Sequence, residues 1–504
     1  MVLFSECVNL QVENLNEPNL SHFTGDPEAI KALAGSAFKT LHNGMQEYSG
    51  PGQAMATMAD QNTCSWGFGS IRELSSEPRQ GYINSETYSY IYTTKDFWEN
   101  CYQAISTATD ILNLLENEQE SDSMIPDQNM LEVWGLFISG VAHGYLGLIF
   151  DKPHVVTGNT ETDSLGYTHW KDVISFSLAQ LEKSITLAEM NSFVIPAEWM
   201  GGEPYTNIEL AELANSYAAR ILTYSSRNKR HNESIDWSRV LQYAQKGIQK
   251  DLAPEMGDRY DFYNFFLVYS IYPGWVRIDH RIINLMDSDY PCYWPCVYNW
   301  GMRDYMWFTA DGKDPGPAES EDARLESDFE YLEENNFRPD RGMYHFSHYR
   351  HKRYNDFMAR VWYGDIPHPS FLDWENELLI AEAMAKTGNL TGAVEILNDP
   401  DGARKLRGNL PDITSANTEE ILWMIFYERD IELINTGIGI SYFDMRRRNN
   451  LQKGTILHFP VPVTELKITQ DEVYTIGGIP DGENVSKGSW TGLDGITVPP
   501  GIIW

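Results

Sequence analysis

Cysteine is scarce in this chain. Five thiols in 504 residues, at Cys7, Cys64, Cys101, Cys292 and Cys296, are too few and too unevenly spread for a disulfide framework, so a packed core must carry the fold. Basic residues are scarce as well: 38 Lys and Arg stand against 72 Asp and Glu, a formal net charge of −34. That field opposes nonspecific contact with nucleic acid or an anionic membrane, and in bulk it disfavours polyanionic ligands. No run of 18 apolar residues occurs, so no bilayer-spanning helix is expected. The first residues lack a charged stretch followed by an apolar one, so no intact signal peptide is visible. Catalytic signatures are missing too: G-x-S-x-G, G-x-x-x-x-G-K-[ST] and H-E-x-x-H do not occur. Asp287-Ser288-Asp289 and Asp311-Gly312-Lys313-Asp314 miss the calcium-loop spacing, and Cys292 and Cys296 lack two further zinc ligands. Neither a metal nor a cofactor is expected.

What the chain does have is amphipathic helix. Asp26-Pro27-Glu28 reads as a helix start, with Ile30, Leu33, Ala34, Ala37, Phe38 and Leu41 forming one stripe. A second stripe runs from Phe97 and Trp98 through Tyr102, Ile105, Ala108 and Ile111 to Leu115. Further helices are expected at 130–150, 170–187, 208–224, 236–248, 375–387, 391–397 and 418–434, with Gly388 as a stop and Thr391 as a cap between two of them. Small residues at contact positions, as in Ala214, Ser216, Ala218 and Ala219, suit closely packed hairpins of the tetratricopeptide kind. Trp98 and Trp134 fall at core positions. From about 251 to 369 the helical period fades. This stretch is longer than an ordinary connection and reads as a functional insertion.

That insertion is rich in aromatics set among Pro, Gly and Asp: Trp275, Tyr293, Trp294, Trp300 and Trp307, with Trp362 further on. Exposed rings held in stiff loops offer a large apolar face at low entropic cost, which suits the C–H faces of sugars. His345, His348 and His351 lie three apart in an Arg-bearing run and read as a solvated basic strip.

The last third carries an ordered set of blocks: Glu375 to Ala383, Gly388 to Ala393, Arg404 and Arg407 before Leu410-Pro411, Ile425-Phe426-Tyr427-Glu428-Arg429-Asp430, Tyr442-Phe443-Asp444-Met445-Arg446-Arg447, and Phe459-Pro460-Val461-Pro462. Upstream stand Trp98 to Asn113 and the turn Phe150-Asp151-Lys152-Pro153. Together these resemble the SusD/RagB family of outer-membrane glycan-binding lipoproteins of Bacteroidetes. The resemblance implies a mainly α fold: about four tetratricopeptide-like helix pairs over 27–250 and 373–437, an irregular ligand-bearing region at 251–372, and an irregular C-terminal segment at 438–504. It also implies an outward-facing, lipid-anchored protein that delivers glycan to a SusC-like TonB-dependent transporter. Met1 to Glu6 do not form a lipoprotein signal; Cys7 stands either as the anchor of a trimmed precursor or as an inert thiol.

On this reading the ligand residues are Trp275, Tyr293, Trp294 and Trp300, with Arg303 and Asp304 orienting hydroxyls. Trp66 adds a second platform after the first helix, and Asp60 and Asn62 fix hydroxyls beside it. Loop packing is the plain alternative for each ring. Arg446, Arg447 and Arg448 are expected to pair with helix carboxylates such as Glu428. The function expected is noncatalytic capture of a neutral glycan such as a laminarin-like β-glucan. A glycoside hydrolase or lyase on a helical scaffold is the alternative, because two suitably spaced carboxylates suffice for one; a peptide-binding repeat scaffold is a third.

Overall fold

The helix Gln128–Ile149 is buried along almost its whole length, and its glycines explain how neighbours reach it. A Cβ on Gly140 would lie 2.7 Å from Leu181, and one on Gly144 would lie 2.3 Å from Ile221. These positions let two further helices approach the backbone itself. The computed structural model describes residues 27–47, 49–76, 79–118, 125–158, 165–256, 262–290, 316–335, 338, 341, 344–360, 366–478 and 484–487. By length and composition Gln128–Ile149 could cross a membrane, but 94% of its apolar window is buried inside the protein, as in the core helix of a soluble fold.

The scaffold consists of four antiparallel-type hairpins: α1 (Pro27–Gln46) with α2 (Tyr92–Glu118), α3 (Gln128–Ile149) with α4 (Trp170–Met190), α5 (Asn207–Tyr224) with α6 (Trp237–Ala244), and α7 (Asp373–Lys386) with α8 (Leu390–Leu397). Each hairpin packs on the next, through α2 on α3, α4 on α5 and α6 on α7. The array therefore has the mainly α, tetratricopeptide-like architecture expected, and Trp98 and Trp134 are in its core. Helix α9 (Thr418–Glu432) lies on α7, and α10 (Ile440–Arg447) follows it.

Local chemistry sets the helix ends. Thr206 and Glu209 form a reciprocal capping box on α5, at 3.2 and 2.8 Å. Asp236 caps α6 and Asn417 caps α9. Between α7 and α8 the chain turns at Gly388, whose φ of +91° favours glycine. The cap of α8 is Asn389, accepting from Gly392 N at 3.1 Å, and not Thr391 as expected; Asx side chains reach the third amide readily from this position.

The region 251–372 interrupts the array between the third and fourth hairpins without separating them. Its two ends are tied where Leu252 N donates to Phe371 O at 2.9 Å and Glu255–Met256 pairs with Ile366–Pro367. Within it lie short helices, Phe265–Ile271, His280–Met286, Arg324–Asp328 and Asn355–Arg360, and the strand pair Phe329–Tyr331 with Tyr349–His351. The last strand corrects the expected solvated strip: His345, His348 and His351 are all buried. His348 Nδ1 lies 2.9 Å from Leu332 O, and His351 Nδ1 lies 3.2 Å from the Asn435 amide. His351 falls in the strand, whose residues are covered on both faces, and His345 and His348 are buried in the segment leading into it, so the Arg-bearing composition did not mean exposure.

Candidate functional site

Trp66 and Trp275 are far apart in sequence, yet a two-residue ladder joins their loops. Asn62 and Thr63 pair antiparallel with Ile278 and Arg277, and the Cys64 thiol lies 3.1 Å from Trp275 O. The turn Tyr272-Pro273-Gly274-Trp275 closes with Trp275 N donating to Tyr272 O at 3.3 Å. Proline fixes one backbone angle of this turn, and the indole sits at the surface, half-buried.

The Trp275 ring belongs to an aromatic cluster. Its centroid lies 3.7 Å from Tyr269, 5.3 Å from Phe68 and 5.9 Å from Tyr272, each at a steep interplanar angle. The contacts with Phe68 and Tyr272 have the edge-to-face geometry that aromatic quadrupoles prefer, and Tyr269 is packed closer still, so the rings brace one another. Beside them opens a slot of about 330 Å³ lined by Tyr263, Phe265, Val268, Tyr269, Tyr272, Trp275 and Met358. Phe265 and Tyr272 are exposed, the latter by 49%. The slot is an aromatic ledge of a size that takes one or two sugar rings.

Most of this lining was not singled out from sequence, although a signal existed. In Phe265–Ile271 the buried positions Phe266, Leu267, Ser270 and Ile271 mark one face, which leaves Phe265, Val268 and Tyr269 on the other. A helix whose outward face is aromatic has a surface to offer.

Trp66 is exposed by 42% at a second ledge. The Arg341 guanidinium stands 4.9 Å from its ring centroid and donates to Ser65 O at 3.1 Å. Gly67 keeps the chain close to its neighbours: a Cβ there would lie 3.1 Å from the Tyr90 hydroxyl and 3.8 Å from the Arg72 guanidinium carbon.

Asp60 and Asn62 do not sit beside Trp66 in the role expected of them. Asp60 is 1% exposed and committed to Arg79 at 2.5 Å and Gln452 at 3.1 Å. Its positive φ turns the chain from the short helix Pro51–Met58 into the ladder, so its carboxylate faces inward. Asn62 is buried in the ladder itself. Tyr293, Trp294, Trp300, Arg303 and Asp304 lie outside the described residues, as do Cys7, Cys292, Cys296 and Trp307. Cys64 and Cys101 are free buried thiols.

With this geometry in place, the fold can be set against known structures. The chain aligns with a SusD superfamily protein from Bacteroides vulgatus at a TM-score of 0.57 and 14% identity, covering 85% of this chain and 89% of that one. It aligns with a SusD homolog from Bacteroides thetaiotaomicron at 0.57 and 16%, covering 89% and 98%. It also aligns with a SusD-like carbohydrate binding protein from Bacteroides vulgatus at 0.56 and 15%, covering 92% and 94%. The chain has the SusD-like fold. No protein-family model matches the sequence, and no curated protein does. At such low identity the likeness speaks for the fold alone.

Proposed function

We propose that this SusD-like chain is a noncatalytic, cell-surface glycan-binding protein. It captures oligosaccharide or polysaccharide on the Trp275 ledge and hands it to a SusC-like TonB-dependent transporter in the outer membrane. The observation that carries this reading is the slot, lined by five aromatic rings of which Phe265 and Tyr272 are exposed and the others half-buried, with Trp275 held against Tyr269 and Tyr272 and Tyr263 against Phe265. Its lining is aromatic and aliphatic, a composition for holding rings rather than for cleaving bonds. One solved protein of this fold is described as carbohydrate binding, which agrees. Outward-facing lipid anchoring, through Cys7 or another residue, completes the proposal. The net charge of −34 makes a neutral polymer such as a laminarin-like β-glucan the first backbone to try.

The test is a panel of glycans incubated with the full chain, reading binding and reducing-end release together. Affinity without product is expected. Turnover that one carboxylate-to-amide substitution abolishes would move the protein to the glycoside hydrolases or lyases.

A further inference from the structure

In a chain with 34 more acidic than basic residues, the surroundings of Trp66 have the opposite balance. Three guanidinium groups approach this loop, from Arg72, Arg277 and Arg341; among the described residues the nearby carboxylates are Glu73, which pairs with Arg72 at 2.8 Å, and Glu330, which acts on Arg277 and is itself paired with Arg350. Arg277 is buried and its side chain donates to carbonyls only, those of Pro273, Val276 and Glu334. Arg341 has no carboxylate partner among the described residues; its Nη1 donates to Ser65 O, and its guanidinium carbon stands 4.9 Å from the Trp66 ring centroid. Arg277 and Arg341 also act on the Cys64 thiol, partly opposing the burial that pushes it up to about 12. Tyr344 ties the shelf together, its hydroxyl donating to the carbonyls of Arg72 and Arg341 at 3.3 Å each.

We propose that the Trp66 shelf is an anion-recognising subsite that takes the carboxylate or sulfate oxygens of an acidic sugar unit, while uncharged rings of the same glycan occupy the Trp275 slot. The inference rests on the glycan-capture reading and changes the ligand class that bulk charge suggests. Bulk charge is the weaker guide, because ions screen surface charges beyond about 8 Å at physiological salt, whereas a guanidinium within hydrogen-bonding reach is barely screened. A cation already stacked on an indole is oriented and partly desolvated, so its remaining N–H donors are presented in a fixed fork. Phe68, two residues beyond Trp66, touches both Trp275 and Tyr269, which places shelf and slot on one continuous surface.

The experiment is titration calorimetry of the full chain with three oligosaccharides of matched length: a neutral glucan, an oligouronate and a sulfated glucan, each at low and high salt. At least one acidic arm is expected to bind about tenfold more tightly than the neutral one, with the advantage shrinking as salt rises. Which acidic arm wins tells a planar carboxylate from a sulfate. Arg341→Gln is expected to cut the acidic-to-neutral affinity ratio about tenfold, and Arg341→Lys, which keeps the charge and loses the fork, to cut it less. Equal affinities across the arms, or a ratio that Arg341→Gln leaves intact, overturn the subsite while leaving glycan capture standing. Failure of every arm to bind overturns both.

Discussion

Arg447 and Arg341 carry the same side chain in two different settings. Arg447, on α10, is fully buried and pairs with Glu382 of α7 at 2.7 Å and with Asp444 at 2.5 Å, while Arg429 of α9 shares both carboxylates. Arg448 takes the other Asp444 oxygen at 2.7 Å. Around Glu428 and Glu432 a second network gathers Arg324, Arg353, Arg404 and Arg407. In the helical array, then, guanidinium groups are consumed in joining one helix to another; at the Trp66 shelf Arg341 meets an indole and one carbonyl. The difference shows that arginine's role here is set by what the neighbouring helices bring, and that the protein concentrates its charge pairing where the chain must hold still.

The largest expected effect comes from acid, which titrates imidazoles buried in the helical array and in the insertion alike. Burial holds His42 and His143 down at about 4, and His351 and His368 at about 3, against an ordinary 6.5. Each folded pKa lies below the unfolded one, so the unfolded chain takes up protons first and stability falls as pH drops from 6.5 toward those values. Each imidazole subtracts up to about 1.4 kcal/mol per pH unit in that window, so together they consume much of a typical stability of about 5–15 kcal/mol. Burial also opposes the charge on Glu382, but Arg429 and Arg447 outweigh it and hold the carboxyl at about 2; its share is lost later, as pH falls from 4.5 toward 2. Thermal unfolding measured from pH 7 to 4 should show a steep fall starting near 6.5, and a flat profile would contradict the buried imidazoles.

Glu382→Ala tests the same network at constant pH. Removing this carboxylate leaves Arg429 and Arg447 buried with one shared acid, Asp444, and the expected loss is about 3–5 kcal/mol in denaturant unfolding. A loss under about 1 kcal/mol would mean that the ion cluster is replaceable by packing alone.

The same division explains what could be read from sequence. Helix periodicity and caps gave the array closely: the stripe through Phe38 and Leu41 and the run from Trp98 to Leu115 became α1 and α2, because amphipathic period and burial coincide there. Arg447 was expected to pair with helix carboxylates, and it does, but with Glu382 and Asp444; Glu428 serves Arg324 and Arg404 instead. Pairing within a bundle depends on which helix faces which, and local pattern does not hold that information. At the site, Trp66 and Trp275 stood out by composition. Their union through the ladder and the arrival of Arg341 over Trp66 are contacts between segments hundreds of residues apart, and even the inward commitment of Asp60 to Arg79 bridges 19 residues that no helical or strand period links.

Trp275→Ala gives the smallest effect and the most informative split. The indole is half-buried and braces Tyr269 and Phe68, so its loss costs some stability, of order 1–3 kcal/mol by analogy with partly buried large-to-small changes. Tyr272→Ala removes an exposed ring from the same slot and should leave unfolding nearly unchanged, within about 0.5 kcal/mol. If the ledge binds sugar rings, both variants lose about 1–2 kcal/mol of glycan affinity, since each removes one stacking surface. Calorimetric titration beside denaturant unfolding separates the two quantities. Equal binding losses with unequal stability losses identify the slot as a binding surface, whereas affinity that follows stability alone would reduce these rings to loop packing.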